Sequence, residues 1–138
     1  MSLFLLDTTL ASALLPWRAS SPLRLLYADI FAQAPYAVAL QTEAEVWQGA
    51  EEAGWGEFRR QKIVELLDRM LVLLPDRSTA RLWGKLRAVS KAQGCLLSPA
   101  DAWIAAAAVQ HGLELATHDK DLGRLAFPDL RVTCRAPP

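Results

Sequence analysis

The chain has 138 residues, 52% hydrophobic and 22% charged, with 15 basic and 15 acidic side chains and a net charge of zero. That length fits a single domain, 1–138, with a real core, and the composition excludes a disordered chain. No apolar run is long enough to span a bilayer, and Cys95 and Cys134 share no metal or redox spacing.

MSLFLLD has no basic region and meets an acid at Asp7, so it reads as a first strand and not as a leader. A cytoplasmic protein with free thiols is expected. Charge is uneven along the chain: net −4 over 1–56, +5 over 57–94 and −1 over 95–138. The basic middle segment suits an anionic partner, although the overall balance does not announce one.

Leu3 to Leu6 is predicted as a buried strand ending at Asp7. Thr8 to Leu15 starts a helix that Pro16 stops. Ser21-Pro22 opens a second helix with Leu23, Leu26, Tyr27 and Ile30 on one face, and Pro35 closes that region. Tyr36 to Leu40 is a second strand. Thr42 begins a helix to about Ala53, followed by a turn between Gly54 and Gly56. Glu57 to Met70 is an amphipathic helix. Leu71 to Leu74 is a third strand. Ser78 caps a long helix to about Gln93, which Gly94 stops. Ser98 caps a helix that Gly112 ends. Glu114 to Thr117 is a fourth strand, and Leu130 to Thr133 a fifth. Strands alternating with helices predict an α/β/α sandwich around a mostly parallel sheet of four or five strands.

Parallel sheets present ligands at the carboxyl ends of their strands. Four acids sit at such places. Asp7 follows the first strand. Glu45 lies one helical turn after the second. Asp119 lies just past the fourth. Asp101 opens LSPADAWIAAAAVQHG, a helix apolar on nearly every face. Each also has a structural reading. Ser98-Pro99-Ala100-Asp101 and Thr42-Glu43-Ala44-Glu45 both match a capping box, Asp7 fits an N-cap, and Asp119 and Asp121 fit an Asx turn. Capping does not explain why an acid is set at the deep end of so apolar a helix. Crowded carboxylates repel, and a cation among them relieves that repulsion. Oxygen-only donors suit Mg²⁺ or Mn²⁺ and not zinc.

FLLDTTLAS, VALQTEAEVWQGA and LSPADAWIAAAAVQHGLELATHDKDL together resemble, nearly end to end, the PIN-domain ribonucleases of the VapC toxin type. The resemblance implies a three-layer PIN-like sandwich and Mg²⁺- or Mn²⁺-dependent endoribonuclease activity. It also implies a homodimer and a cognate antitoxin partner. It assigns catalytic positions to Asp7, Glu45, Asp101 and Asp119, with Glu45 preferred to Glu43. Asp7, Asp101 and Asp119 are the expected metal ligands, with Thr9, Thr117 and Asp121 supporting them. Thr9 stands where the family often has Asn, and Asp121-Leu122 where it commonly has Asp-Phe. Spacing from Thr117 favours Asp119 over Asp121.

Acids repel RNA, so phosphates need basic groups elsewhere. Arg81 and Lys85 lie four apart on the long helix and are candidates, although a solvated face is the plainer reading. Core packing is expected of Trp47 and Trp103, a loop position of His118, and a helix C-terminus of His111. Leu25 and Phe31 form an apolar hint of a dimer surface. Two rival readings remain. One is an inactive RNA- or protein-binding module on the same fold. The other is an aspartyl phosphotransfer domain, which wants an acid where Thr9 stands.

Overall fold

The structure is a computed structural model and describes residues 3–137, leaving Met1, Ser2 and Pro138 outside. Five strands form one all-parallel sheet: β1 (Phe4–Leu6), β2 (Ala37–Ala39), β3 (Leu71–Leu73), β4 (Glu114–Thr117) and β5 (Arg131–Cys134), in the order β3-β2-β1-β4-β5. The helices are α1 (Thr8–Ser12), α2 (Pro22–Leu26), α3 (Ala28–Phe31), α4 (Leu40–Ala53), α5 (Glu57–Asp68), α6 (Arg77–Ala92), α7 (Pro99–His111) and α8 (Lys120–Arg124).

Strand alternation divides the core in two. Leu5, Ala37, Ala39 and Leu115 face α6 and α7, where Leu86, Leu97 and Ile104 pack. Leu6, Val38 and Ala116 face the other way, against Leu10, Tyr27, Ile30, Val46 and Ile63. This is the expected three-layer sandwich.

The apolar helix α7 is the most buried element, with Ala102 and Ile104 to Ala108 at 5% exposure or less. Its alanines remove the side-chain bulk that would hold the helix off the sheet. Ala106 is fully buried among these layers. Ala106→Leu therefore overpacks a filled site and should cost about 1–3 kcal/mol, read as a lower midpoint in urea with an unchanged slope.

Local corrections have identifiable causes. The first helix stops at Ser12, and Pro16–Arg18 forms a separate 3₁₀ turn. The Arg24 guanidinium donates to the carbonyls of Ala13 and Leu15 that a longer helix would have used. The second predicted helix breaks at Tyr27, which leaves helical geometry (φ −112°, ψ 23°) and turns a buried ring inward. Leu26 is consequently exposed. Leu25 is exposed as expected, at 85%, but Phe31 is half-buried, edge-on to Tyr36.

Helix α4 begins at Leu40 without a side-chain cap, so the Thr42 capping box does not form. Asp76, and not Ser78, caps α6. Its carboxylate accepts from the Thr79 N–H, and the Thr79 hydroxyl accepts from the Asp76 N–H.

Candidate active site

The strand order reverses direction between β1 and β4, which is where open parallel sheets form a ligand crevice. Asp7 leaves β1 at that point. Its N–H still donates to the Ala116 carbonyl of β4, at 3.0 Å. Its side chain caps α1: Oδ1 accepts from the Leu10 N–H at 2.9 Å. The other oxygen, Oδ2, accepts from the Thr117 hydroxyl at 2.5 Å.

Thr117 joins the two strand ends. Its hydroxyl donates to Asp7 and accepts from the Asp119 N–H at 3.0 Å. Asp119 caps α8, with Oδ1 accepting from the N–H groups of Asp121 and Leu122 at 2.8 and 3.1 Å. Capping and site placement are thus one arrangement for both acids, since each cap fixes the chain while leaving carboxylate surface toward the crevice.

Asp101 arrives from α7. The Ser98 hydroxyl accepts from the Asp101 N–H at 3.1 Å, which fixes the helix start. Glu45 arrives from α4, where it accepts from the Thr8 hydroxyl; Thr8 also reaches the Thr42 hydroxyl at 3.1 Å. Thr42 is therefore buried as a cross-link between α1 and α4 and not used as a cap.

Asp7, Glu45, Asp101 and Asp119 line a single cleft of about 410 Å³, together with Thr8, Thr9, Gln48, Gly49 and Glu52. The electrostatics agree with this convergence. Burial raises the Asp101 carboxyl to about 6, with the charges of Asp119, Asp7 and Glu45 adding to it and a side-chain hydrogen bond from the Ser98 hydroxyl opposing. Burial also raises Asp7, with Asp119 adding to the rise and the bonds from Thr117, Leu10 and His118 opposing it.

The side chains lining the cleft offer carboxylate, hydroxyl and amide oxygens, and no histidine, cysteine, lysine or arginine lines it. That donor set fits a hard divalent ion. Among the described residues, no three such side chains are drawn in closely enough to ligate one ion together. Mutual repulsion of like charges favours such a spread, and a cation between them opposes it.

The remaining expected residues divide. Thr9 lines the cleft and Thr117 braces it. Asp121 does not line it; its carboxylate pairs with Arg124 at 3.1 Å, so Asp119 is the acid that faces the crevice. Arg81 and Lys85 are exposed on α6 and do not line the cleft. Trp47 packs into the core, and Trp103 tilts against Trp83 beside an apolar pocket. His118 is a loop residue whose Nδ1 lies 2.7 Å from the Tyr27 hydroxyl.

Sequence reasoning missed Thr8, Gln48 and Glu52. The last two carry a legible signal: with Gly49 they follow Glu45 at three-, four- and seven-residue steps, one face of a helix. Thr8 carries none, because its use depends on α4 crossing α1.

Fold and cleft together define a class, an all-parallel α/β protein with a carboxylate site at its topological switch point. The PIN-domain family model matches residues 4–128. Ribonuclease VapC4 of Mycobacterium tuberculosis (strain ATCC 25618 / H37Rv) is 32% identical over 106 residues, which cover 75% of this chain and 80% of that protein. A toxin–antitoxin complex from Klebsiella pneumoniae contains a chain that superposes with a TM-score of 0.70 at 27% identity, covering 94% of each. VapBC2 from Rickettsia felis, bound to a promoter DNA fragment, superposes with a TM-score of 0.77 at 18% identity, covering 96% of this chain and 98% of that one; this is a likeness of fold. The chain belongs to the PIN-domain family, and its similarity within that family runs to the VapC ribonucleases.

Proposed function

We propose that the chain is a single-domain, Mg²⁺- or Mn²⁺-dependent endoribonuclease, the toxin of a VapBC-type pair, held in check in the cytoplasm by an antitoxin and acting as a homodimer. The observation that carries this reading is the convergence of Asp7, Glu45, Asp101 and Asp119 on one cleft. The relatives support it further: one is named a ribonuclease and another is a toxin–antitoxin complex. No helix among the described residues is long and apolar enough to cross a membrane.

Asp7, Asp101 and Asp119 would hold the ion, directly or through water. When bound, it supplies charge neutralisation at the phosphate and a more acidic water. The protein's own part is placement. Thr117 locks Asp7 to the loop that carries Asp119. The Thr8 hydroxyl holds the Glu45 carboxylate, which completes the cage or orients a water. In-line attack by water on phosphorus, without use of the 2′-hydroxyl, leaves 5′-phosphate and 3′-hydroxyl ends. Arg81 and Lys85 remain candidates for attracting RNA along α6.

The test is cleavage of structured RNA by the purified protein. Cleavage with Mg²⁺ or Mn²⁺ and none in chelator is expected; no cleavage with either ion sinks the reading. Thr117→Val keeps the shape and deletes the hydroxyl between two acids. It should lower the rate about 10–100-fold, the usual cost of losing an outer partner of a metal ligand. Measurement at saturating Mn²⁺ checks this, with a rate equal to wild type as the contrary result.

A further inference from the structure

We propose that the groove leading from the acidic cleft past Thr8 and Thr9 to Ser12, Arg18 and Ser21 binds an RNA backbone phosphate flanking the bond that is cut. The proposal rests on the nuclease reading above. The cleft presents Asp7, Glu45, Glu52, Asp101 and Asp119 and no basic side chain. A polyanion is repelled by such a surface, and an ion at the acids serves only the phosphate it touches. Neighbouring phosphates need a cation and hydrogen-bond donors of the protein's own.

A second cavity, of about 230 Å³, supplies them. It shares Thr8 and Thr9 with the cleft and continues along Ser12, Arg18 and Ser21. Arg18 is the basic residue that lines either of these two cavities. It is exposed and makes no ion pair among the described residues. Its backbone is held in place: the Arg18 N–H donates to the Leu15 carbonyl at 2.9 Å, and Arg24 donates to the carbonyls of Ala13 and Leu15. The adjacent Trp17 stands edge-on to Trp55, 5.0 Å between ring centres, beneath the Arg59 guanidinium.

Ser21 Oγ accepts from the Leu23 N–H at 3.3 Å, so its own proton is available to a ligand. A guanidinium fork beside hydroxyl donors is a phosphate-recognition chemistry. Other cations near the site are engaged or face elsewhere. Arg124 pairs with Asp121, and Lys120 lines a separate cavity beside Cys134.

The experiment compares wild type, Arg18→Ala, Arg18→Lys and Arg131→Ala. Arg131 opens β5 at the opposite end of the sheet and serves as an equal change of charge. KM and kcat are measured on the RNA that wild type cleaves. Affinity for a short, labelled single-stranded RNA is measured in chelator across a salt series. Arg18→Ala should raise KM about tenfold with little change in kcat, because uniform binding is lost. It should also flatten the salt slope by about 0.7, the value for one phosphate contact on a single strand. Arg18→Lys should recover most of the affinity, and Arg131→Ala should match wild type. If Arg18→Ala behaves as Arg131→Ala does while wild type cleaves, the subsite is wrong and the nuclease reading stands. If wild type neither cleaves nor binds RNA, both fall.

Discussion

Asp101→Asn should lower the rate of RNA cleavage about a thousandfold, equivalent to ~4 kcal/mol of barrier, while leaving the chain folded. The substitution keeps the size of the side chain and the bond from the Asp101 backbone N–H to the Ser98 hydroxyl that fixes the helix start. The charge is removed from a carboxyl that burial and three neighbouring acids have pushed up to about 6. Loss of one negative donor weakens the hold on a cation and leaves the phosphate less neutralised. Asp7→Asn should act in the same direction. Its amide oxygen can still cap Leu10, although the amide nitrogen in place of Oδ2 no longer accepts from Thr117, and a folded but inactive protein is again expected. Unfolding curves measured beside the rates separate the two effects. An Asp101→Asn protein that is folded and cleaves within a factor of about three of wild type would remove Asp101 from the machinery.

Without a divalent ion, the protein should become less stable as pH rises from about 4 to 7. Asp7 and Asp101 both have folded values above their ordinary carboxyl value, and that of Asp101 is about 6. Between the ordinary value and the folded one, the folded chain keeps protons that the unfolded chain has released. The stability linked to these groups is therefore fully present below about pH 4 and is lost as pH rises through the folded values. A two-unit rise corresponds to about 2.7 kcal/mol. Asp101 is only partly buried, so screening reduces its share to about 1 kcal/mol, or about 4 °C in Tm.

Asp29, Glu51 and Asp76 are shifted down by hydrogen bonds, from Arg135, Arg60 and the Thr79 backbone respectively. Their contributions have the opposite sign but fall in more acid solution, below their ordinary values. The measurement is Tm against pH in chelator for wild type and Asp101→Asn. The variant should flatten the decline, and Mn²⁺ should lift wild type most at the higher pH, where the acids are ionised. A wild-type Tm that climbs steadily from about pH 4 to 7 would show that the cleft acids are not crowded in the way described.

The placement of the acids was legible because it follows from a rule of the fold. Asp7 directly follows an apolar run and Asp119 lies two residues past the end of another strand, and parallel strands present such positions at one rim. Asp101 stood out because an acid beginning an apolar helix needs a reason beyond its cap. The pairing that holds Glu45 was not legible, since it depends on Thr8 meeting α4 across 37 positions of sequence. The α6 cap shows a similar limit. Asp76 and Ser78 have equal local credentials. The choice falls to Asp76 with the reciprocal Thr79 bond and a further donor from α7, Gln110 Nε2, at 2.9 Å. The break at Tyr27 has no proline or glycine to announce it. It coincides with a buried hydroxyl that reaches the Thr117 carbonyl at 3.0 Å and accepts from the Arg135 N–H at 2.8 Å. Local chemistry thus located the acids, and tertiary contacts decided their supports.

The proposed chemistry turns on the cleft acids together holding a divalent cation. Crystals of the protein soaked in Mn²⁺ and measured for anomalous scattering at the manganese edge test it directly. A peak is expected between Asp7, Asp101 and Asp119, absent from Asp7→Asn crystals soaked in the same way. A cleft without a peak at saturating Mn²⁺, or a peak that persists in Asp7→Asn, would contradict it.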